Sequence, residues 1–229
     1  LSTGDELRAP GHPLTPGAIY DSNSHILWSL LTRLGCEVID LGIVGDDPAR
    51  LEKTFRAAAE DADAIISSGG VSVGEADFTR SLLAELGEVA FWKIAMRPGR
   101  PMAFGRIGQG QRSAWLFGLP GNPVAVMVTF CQLVRPALLK LMGVAPISEP
   151  PGFAVPSAAP LKKSRGRTEF QRGILYRDGE IWRVRPTGQQ GSGILSSMTA
   201  ADCFIILEAE RGDVAAGETV KVQLLRGLL

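Results

Sequence analysis

Cysteine and histidine are scarce in this sequence, which limits the metal and redox chemistry that it can support. The three cysteines, Cys36, Cys131 and Cys203, lie far apart without a CxxC pair, and only two histidines accompany them. An odd number of separated cysteines does not suit a disulfide framework or a zinc site of conventional spacing. We therefore predict buried, reduced cysteines and a cytoplasmic protein.

Long apolar runs and an excess of charge of either sign are also lacking. Apolar runs such as Phe204–Leu207 are far shorter than the roughly 20 residues that a membrane helix requires. The 24 Lys and Arg residues balance the 24 Asp and Glu residues. Neither a membrane span nor a general attraction to nucleic acid is predicted, so an anion must be bound at a local site. Because the sequence begins at Leu1 without a signal-peptide pattern, we expect it to be a segment of a longer protein.

Helical and strand patterns alternate along the first two thirds of the chain. Helices are predicted over 21–34, after Pro48 and over 78–86, with strands over 36–44 and 62–67 between them. This alternation is typical of a parallel sheet with helices packed on its faces. Further strands are predicted over 91–95, 102–106 and 114–117, and the last helix over 122–142.

Proline becomes frequent between Val144 and Pro160, which marks a domain boundary. Short β-rich runs follow over 181–184, 203–208 and 219–225, without helical periodicity. We predict an α/β domain over 1–147 and a small all-β domain over 148–229.

A loop rich in glycine and serine, Ser67-Ser-Gly-Gly-Val-Ser-Val-Gly, follows the strand predicted over 62–67. Gly69, Gly70 and Gly74 would let backbone N–H groups approach an anion, and Ser72 would add a hydroxyl donor. The loop matches neither the Walker A pattern nor GxGxxG, which disfavours kinase, GTPase and NAD-binding functions. A tight turn between strand and helix is the alternative.

Three cations, Lys93, Arg97 and Arg100, lie within eight residues around Pro98-Gly99. Their charge on a stiff loop suits a polyanion, whereas a solvated basic edge is the alternative. A third loop, Gly118-Leu-Pro-Gly-Asn-Pro-Val, precedes the last predicted helix of this domain. This loop contains Pro120, Gly121, Asn122 and Pro123, which would fix the start of the helix. The N-terminal end of the helix could then attract an anion. The alternative is a helix start without a binding role.

Carboxylates near these loops could hold Mg²⁺ or contact a nucleotide. The candidates are Asp5, Glu6, Asp46, Glu75 and Asp77. For Asp46 the alternative is a turn residue at a helix start, because Asp46-Asp47-Pro48 is a typical turn sequence.

The motifs in this order resemble those of the bacterial molybdopterin molybdenumtransferases and of the gephyrin C-terminal region. They are Ser2-Thr-Gly-Asp-Glu-Leu, Tyr20-Asp-Ser-Asn, Ser67-Ser-Gly-Gly-Val-Ser-Val-Gly-Glu-Ala-Asp, Phe91-Trp-Lys, Arg97-Pro-Gly-Arg-Pro and Gly118-Leu-Pro-Gly-Asn-Pro-Val. Leu161-Lys-Lys, Glu169-Phe-Gln-Arg-Gly and Gln190-Gly-Ser extend the resemblance over essentially the whole chain.

The resemblance implies a mostly parallel α/β sheet sandwiched by helices, similar to the molybdopterin adenylyltransferases, followed by a small β-barrel-like domain. It implies insertion of molybdate into adenylylated molybdopterin with release of AMP, in a cleft of a homodimer and with Mg²⁺. The implied partners are the pterin nucleotide, molybdate and a molybdopterin adenylyltransferase, without nucleic acid or membrane.

The family's cleft residues can be carried over to the positions of this sequence that match its motifs. The resemblance then implies these cleft residues: Glu6, Asp46, Asp77, Lys93, Arg97, Pro120, Pro123, Arg172 and Ser192. The resemblance implies that Asp46 and Asp77 hold Mg²⁺ or the pterin. It further implies that Lys93, Arg97 and Arg172 offset negative charge and hold molybdate, while Ser192 donates a hydroxyl. We count Asp46, Asp77, Lys93 and Arg97 as catalytic candidates and the other residues of these loops as substrate-binding: Glu6, Gly69, Gly70, Ser72, Gly74, Glu75, Arg100, Pro120, Gly121, Asn122, Pro123, Arg172 and Ser192.

Two features depart from the family pattern. Arg97 and Arg100 occur where many members have lysine, which keeps the charge but replaces a point donor with a planar fork. Members also carry two domains before the segment that begins at Leu1, one of which completes the partner's cleft. A molybdopterin adenylyltransferase, which would react with ATP without molybdate, and a gephyrin-like scaffold, which would bind a peptide in an apolar groove, are the alternative functions.

Overall fold

The computed structural model describes residues 1–70, 76–109, 112–226 and 228, apart from the side chains of 76–80 and 109. The chain forms two compact units. The first comprises Leu1–Ile94 and Gly99–Met127, and the second comprises Ala95–Pro98 and Val128–Leu229.

Strands and helices alternate through the first unit, and strands predominate in the second. In chain order the elements are β1 (Ser2–Thr3), β2 (Leu7–Arg8), β3 (Ile19–Tyr20), α1 (Asn23–Leu34), β4 (Ile43–Val44), α2 (Pro48–Asp61), β5 (Ala64–Ser68), α3 (Ala76–Leu86), β6 (Gly87–Lys93), β7 (Met96–Arg97), β8 (Pro101–Gln109), β9 (Arg112–Leu119), α4 (Pro123–Thr129), a π-helical turn (Phe130–Val134), α5 (Arg135–Leu141), β10 (Gly152–Pro156), β11 (Thr168–Asp178), β12 (Ile181–Pro186), α6 (Ser196–Thr199), β13 (Cys203–Leu207) and β14 (Thr219–Leu224).

The first unit is built on a six-stranded sheet with the order β4-β1-β5-β9-β8-β6. The pairs β4-β1, β1-β5 and β5-β9 are parallel, whereas β8 is antiparallel to both β9 and β6. The predicted α/β class is confirmed. In this sheet β4 lies on one side of β1, and β5, the next strand of the sheet along the chain, lies on the other side of β1. The sheet therefore has a topological switch point between β1 and β5, where open α/β sheets bind their ligands.

Helices α2 and α3 share a hydrophobic core with this sheet. Phe55 and Leu83 are almost fully buried, and they belong to the same core cluster as Ile65 and Leu116 of the sheet. Helix α2 begins at Pro48 as predicted, because the side chain of Asp47 accepts a hydrogen bond from the backbone N of Arg50 at 2.7 Å. This packing fixes the positions at which β4 and β5 end.

The strand predicted over 36–44 is wrong except at Ile43–Val44. Helix α1 ends at Gly35, which has φ 91°. A tight turn follows, in which Gly42 has φ 66° and its N–H donates to Asp40 Oδ1 at 2.8 Å. The apolar side chains of Ile39 and Leu41 are exposed, so the alternating pattern that suggested a strand does not bury one face.

The long helix predicted over 122–142 is present but is interrupted by the π-helical turn. Pro136 has no N–H to donate to the carbonyl of Gln132, and the preceding turn widens so that Arg135 N bonds Phe130 O. Within the described part of the chain, Pro123–Leu141 is the one helix long and apolar enough to cross a membrane. Half of it is buried inside the fold, and the core helix of a protein outside any membrane passes the same test.

The second unit contains a five-stranded antiparallel sheet with the order β10-β14-β13-β11-β12, and β7 pairs with β11 in parallel. An isolated bridge between Ser157 and Val184 returns the end of β10 to β12, which curls the sheet toward a barrel. Its core includes Cys203, Ile205 and Val222. The β domain predicted after the α/β domain is confirmed.

Candidate functional site

The loops that were predicted to bind a ligand follow four neighbouring strands of the first unit. The register pairs Ser68 with both Ser2 and Leu119, so the loops after β1, β5 and β9 start side by side at the carboxyl edge of the sheet. The loop after β4 lies at the same edge. The predicted residues at this edge are Glu6, Asp46, Gly69, Gly70, Pro120, Gly121, Asn122 and Pro123. This edge includes the switch point between β1 and β5.

The backbone at Gly69 lies so close to the neighbouring loops that there is no room for a Cβ atom. Gly69 has φ 90°, and a Cβ atom there would lie 2.3 Å from the carbonyl oxygen of Thr3. Its N–H donates to Leu119 O at 3.1 Å. A Cβ atom at Gly121 would lie 3.8 Å from the Cα of Gly69. Glycine at position 69 therefore lets three loops converge.

Buried polar side chains form hydrogen bonds next to this edge of the sheet. The hydroxyl groups of Ser2 and Ser68 are 3.1 Å apart, and Asn23 Nδ2 donates to Gly121 O at 2.7 Å. Asp21 Oδ1 accepts from the backbone N of Asn23 at 2.9 Å, which fixes the start of α1. Asp21 Oδ2 and Asn23 Oδ1 are buried without a hydrogen-bond partner among the described residues. Sequence reasoning did not place Asp21 and Asn23 in the site, although the motif Tyr20-Asp-Ser-Asn contains both.

Carboxylates gather beside the same edge. The backbone N of Asp5 donates to Asp46 Oδ2 at 3.3 Å, and the backbone N of Asp46 donates to Asp5 Oδ1 at 3.0 Å. Burial raises the pKa of Asp46; the hydrogen bond from Asp5 opposes this shift, and the carboxylates of Asp5 and Glu6 add to it. The three acids are therefore close enough to repel one another.

The donor chemistry of this cluster fits Mg²⁺, since carboxylate oxygens are its preferred protein ligands and a cation would offset the repulsion. No group of three or more His, Cys, Asp and Glu side chains within the described residues could hold a metal by itself. Asp46 would thus supply one ligand of a site completed by phosphate oxygens and water, as is common for Mg²⁺. The side chain of Asp77, the other predicted ligand, lies outside the described residues, as do Ser72, Gly74 and Glu75.

We expect Asp46→Asn to raise the melting temperature slightly at pH 7. Because the pKa of Asp46 is raised in the folded chain, its charged form costs stability at neutral pH. That cost disappears as the pH falls through the raised pKa, so the two proteins should converge in stability at acidic pH. Thermal melting from pH 7 to pH 4 checks the difference and its disappearance. A variant that melts below the wild type at pH 7 would contradict this account.

The basic loop is divided between the two units. Lys93 and Arg100 are exposed and belong to the first unit, where Ile94 N donates to Arg100 O at 2.8 Å and closes the loop. Arg97 belongs to the second unit, where its Nη1 lies 3.5 Å from Oε1 of the buried Glu169. Sequence proximity alone therefore does not make the three cations one cluster.

Arg172, in the middle of β11, is a buried guanidinium that is only 1% exposed. Its Nε donates to Ser197 Oγ at 3.0 Å and its Nη2 to Gly191 O at 3.0 Å. Both acceptors are neutral, and no carboxylate forms an ion pair with Arg172 among the described residues. Burial, and then the charge of Arg97, lower the pKa of Arg172 to about 10.

Arg97, Arg172 and Ser192 thus lie in one unit, with Ser192 directly after the Gly191 carbonyl that Arg172 holds. A buried positive charge without a counter-ion favours an anion, and a guanidinium can bind a tetrahedral oxyanion with two parallel hydrogen bonds. The second unit therefore contains a buried cation without an acidic partner among the described residues, and the first unit gathers loops and carboxylates at the carboxyl edge of its sheet.

Two protein families match the chain. The family described as "Probable molybdopterin binding domain" matches residues 1–140, so the chain belongs to it. The family described as "MoeA C-terminal region (domain IV)" matches residues 154–225.

Curated relatives and a solved structure that match the chain also have molybdopterin in their names. "Molybdopterin molybdenumtransferase" of Haemophilus influenzae is 51% identical over 231 residues, which cover 100% of this chain and 56% of the relative. The protein of the same name from Nostoc sp. is 38% identical over 224 residues, which cover 97% of this chain and 51% of the relative. A crystal structure of the "molybdopterin biosynthesis moea protein" from Pyrococcus horikoshii aligns with TM-score 0.78 and 32% identity, over 97% of this chain and 52% of that one. The chain spans about half the length of these relatives.

Proposed function

We propose that this chain is the catalytic part of a molybdopterin molybdenumtransferase, which inserts molybdate into adenylylated molybdopterin and releases AMP. The observation that carries the proposal is the buried, uncompensated guanidinium of Arg172 in a chain whose other unit belongs to a molybdopterin-binding family. The names of the relatives support the same reaction.

The carboxyl edge of the first unit would bind the phosphates of the pterin nucleotide. The backbone at Gly69 and Gly70 allows close approach, and the exposed Lys93 and Arg100 would add positive charge. Asp46 and Asp77 would hold Mg²⁺, which when bound would neutralise phosphate charge as AMP leaves. Glu6 and the loop from Pro120 to Pro123 would line the same site.

The arginines of the second unit would hold the second substrate, molybdate. The planar fork of Arg172 would donate to two molybdate oxygens, Arg97 would add charge and Ser192 a hydroxyl. No side chain is needed as a unique general base, because positioning the two substrates and offsetting their charge can supply most of the catalysis.

Further parts of the proposal concern the assembly. We propose a cytoplasmic homodimer with domains over 1–147 and 148–229 that receives its pterin nucleotide from a molybdopterin adenylyltransferase. The β unit and the names of the relatives favour molybdate insertion over adenylylation as the activity of this chain. The ionic residues of the two units favour chemistry over a purely scaffolding role.

We expect this chain to bind adenylylated molybdopterin with Mg²⁺, and Lys93→Ala to weaken binding at least tenfold, or about 1.4 kcal/mol. The variant removes a point charge beside the phosphates. Calorimetric titration measures the affinity, and release of AMP on adding molybdate measures turnover.

The matched control is Lys53→Ala, which removes an exposed lysine from α2 in the same unit and should leave binding unchanged. A folded wild-type chain that fails to bind the pterin nucleotide would overturn the assignment. Formation of adenylylated molybdopterin from ATP without molybdate would support the adenylyltransferase instead.

A further inference from the structure

The hydrogen bonds around Arg172 fix its guanidinium from two sides. Ser197 Oγ accepts from Nε at 3.0 Å and donates to Ile194 O at 2.6 Å, so this hydroxyl is itself held in place. Gly191 O accepts from Nη2 at 3.0 Å. Nη1 has no hydrogen-bond partner among the described residues. Two of the five guanidinium N–H groups are thus used for orientation.

The loop that supplies these acceptors is tied to the backbone of the same arginine. Gln190 Oε1 accepts from Arg172 N at 2.7 Å, and Gln190 Nε2 donates to Arg172 O at 3.1 Å. Thr187 N donates to the same carbonyl at 3.0 Å. Movement of the loop that carries Gly191 and Ser192 is therefore coupled to movement of Arg172.

Arg97 and Arg172, two of the arginines of this unit, differ in the groups that lie next to their charge. Arg97 faces the buried carboxylate of Glu169, whereas Arg172, although more deeply buried, faces a hydroxyl and a carbonyl. A carboxylate in the place of Ser197 would compensate a buried guanidinium better and would be the expected partner if stability alone mattered. A neutral acceptor orients the group without cancelling its charge.

We propose that Ser197 is a positioning residue for oxyanion binding: its hydroxyl fixes the plane of the Arg172 guanidinium and leaves the positive charge uncompensated for an incoming tetrahedral oxyanion. This inference rests on the proposed function, because it assigns the oxyanion subsite to Arg172. Ser197 does not touch the oxyanion and acts through Arg172.

Four variants of the whole chain separate orientation from charge. Ser197→Ala removes the acceptor, and Ser197→Thr keeps it. Ser197→Asn and Ser197→Asp are nearly equal in size and both supply an oxygen acceptor, but only Asp adds a negative charge. The probes are inorganic molybdate and tungstate in calorimetry, the Arg172 Nε–H signal in ¹⁵N NMR spectra, and thermal melting.

We expect Ser197→Thr to bind molybdate within about twofold of the wild type and Ser197→Ala about tenfold more weakly, with faster exchange of the Nε proton. We expect Ser197→Asp to bind at least about tenfold more weakly than Ser197→Asn while melting no lower, because its carboxylate pairs with Arg172. If Ser197 had a purely structural role, the Asp variant would not bind molybdate more weakly than the Asn variant while melting no lower.

Three results would overturn the proposal. Wild-type affinity in Ser197→Ala would show that the hydroxyl does not position Arg172, and it would leave the oxyanion site standing. Equal affinities of the Asn and Asp variants would show that an uncompensated charge is not the reason for a serine. If Asn and Asp do not fold, the Ala and Thr pair still decides the positioning role, and absence of binding to the wild-type chain overturns the oxyanion site itself.

Discussion

Replacement of Arg172 by methionine is expected to weaken molybdate binding by about a hundredfold or more, without lowering the melting temperature. Methionine fills a similar volume but removes a charge that burial disfavours, as the lowered pKa of about 10 indicates. Replacing buried charges by apolar residues of similar size is often neutral or stabilising. The carbonyl of Gly191 is on an exposed residue and can bond water instead. Calorimetry with molybdate and thermal melting measure the two effects.

Arg97→Met is the comparison variant for stability, because it removes another arginine of the same unit, one that pairs with a carboxylate. It leaves the buried carboxylate of Glu169 without its cation, so this variant should melt below the wild type. The two substitutions are thus expected to change stability in opposite directions. An Arg172→Met protein that binds molybdate normally would remove the main support for the oxyanion site.

Gly69→Ala is expected to destabilise the first unit by about 3 kcal/mol or more and to abolish binding of the pterin nucleotide. Alanine at φ 90° is strained, and its Cβ would lie 2.3 Å from the backbone oxygen of Thr3, which cannot move without displacing β1. Urea denaturation followed by tryptophan fluorescence measures the loss, because Trp28, Trp92 and Trp115 lie in this unit.

Gly11→Ala separates the steric clash from the strain of the backbone. Gly11 has nearly the same φ, 91°, but a Cβ atom there would meet nothing within 4 Å. We expect a loss of only about 1–2 kcal/mol, the usual penalty for a side chain in this region. Equal losses at both positions would show that the convergence of loops at Gly69 does not require glycine.

The sequence alone allowed prediction of the loops after β5 and β9, because each follows an apolar strand and precedes a helix. It could not indicate that Arg97 belongs to the second unit, since this depends on pairing between β7 and β11, some seventy residues away. Likewise, the sequence could not indicate that Gln190, Gly191 and Ser197, some twenty residues further along the chain, form hydrogen bonds with Arg172. The resemblance named Arg172 and included Gln190 in a motif, but it did not indicate that Ser197 and Gln190 hold Arg172 in place.

Local turn chemistry explains the wrong strand. The pattern over 36–44 is apolar enough for a strand, but Asp40 and Gly42 form a turn that ends any extended pairing before Ile43. Asp21 and Asn23 were missed because their role depends on contacts with the loop at Gly121, about a hundred residues later. The domain boundary after residue 147 stays a prediction.

The protonation of the three cysteines decides whether they can hold a soft metal. Burial raises the pKa of Cys131 and Cys203 to about 12 and raises that of Cys36. At neutral pH all three are thiols rather than thiolates, and thiolates are the soft ligands that hold metals against release. A soft metal ion would therefore meet no competing thiolate from these cysteines at neutral pH, so they are not suited to retain one.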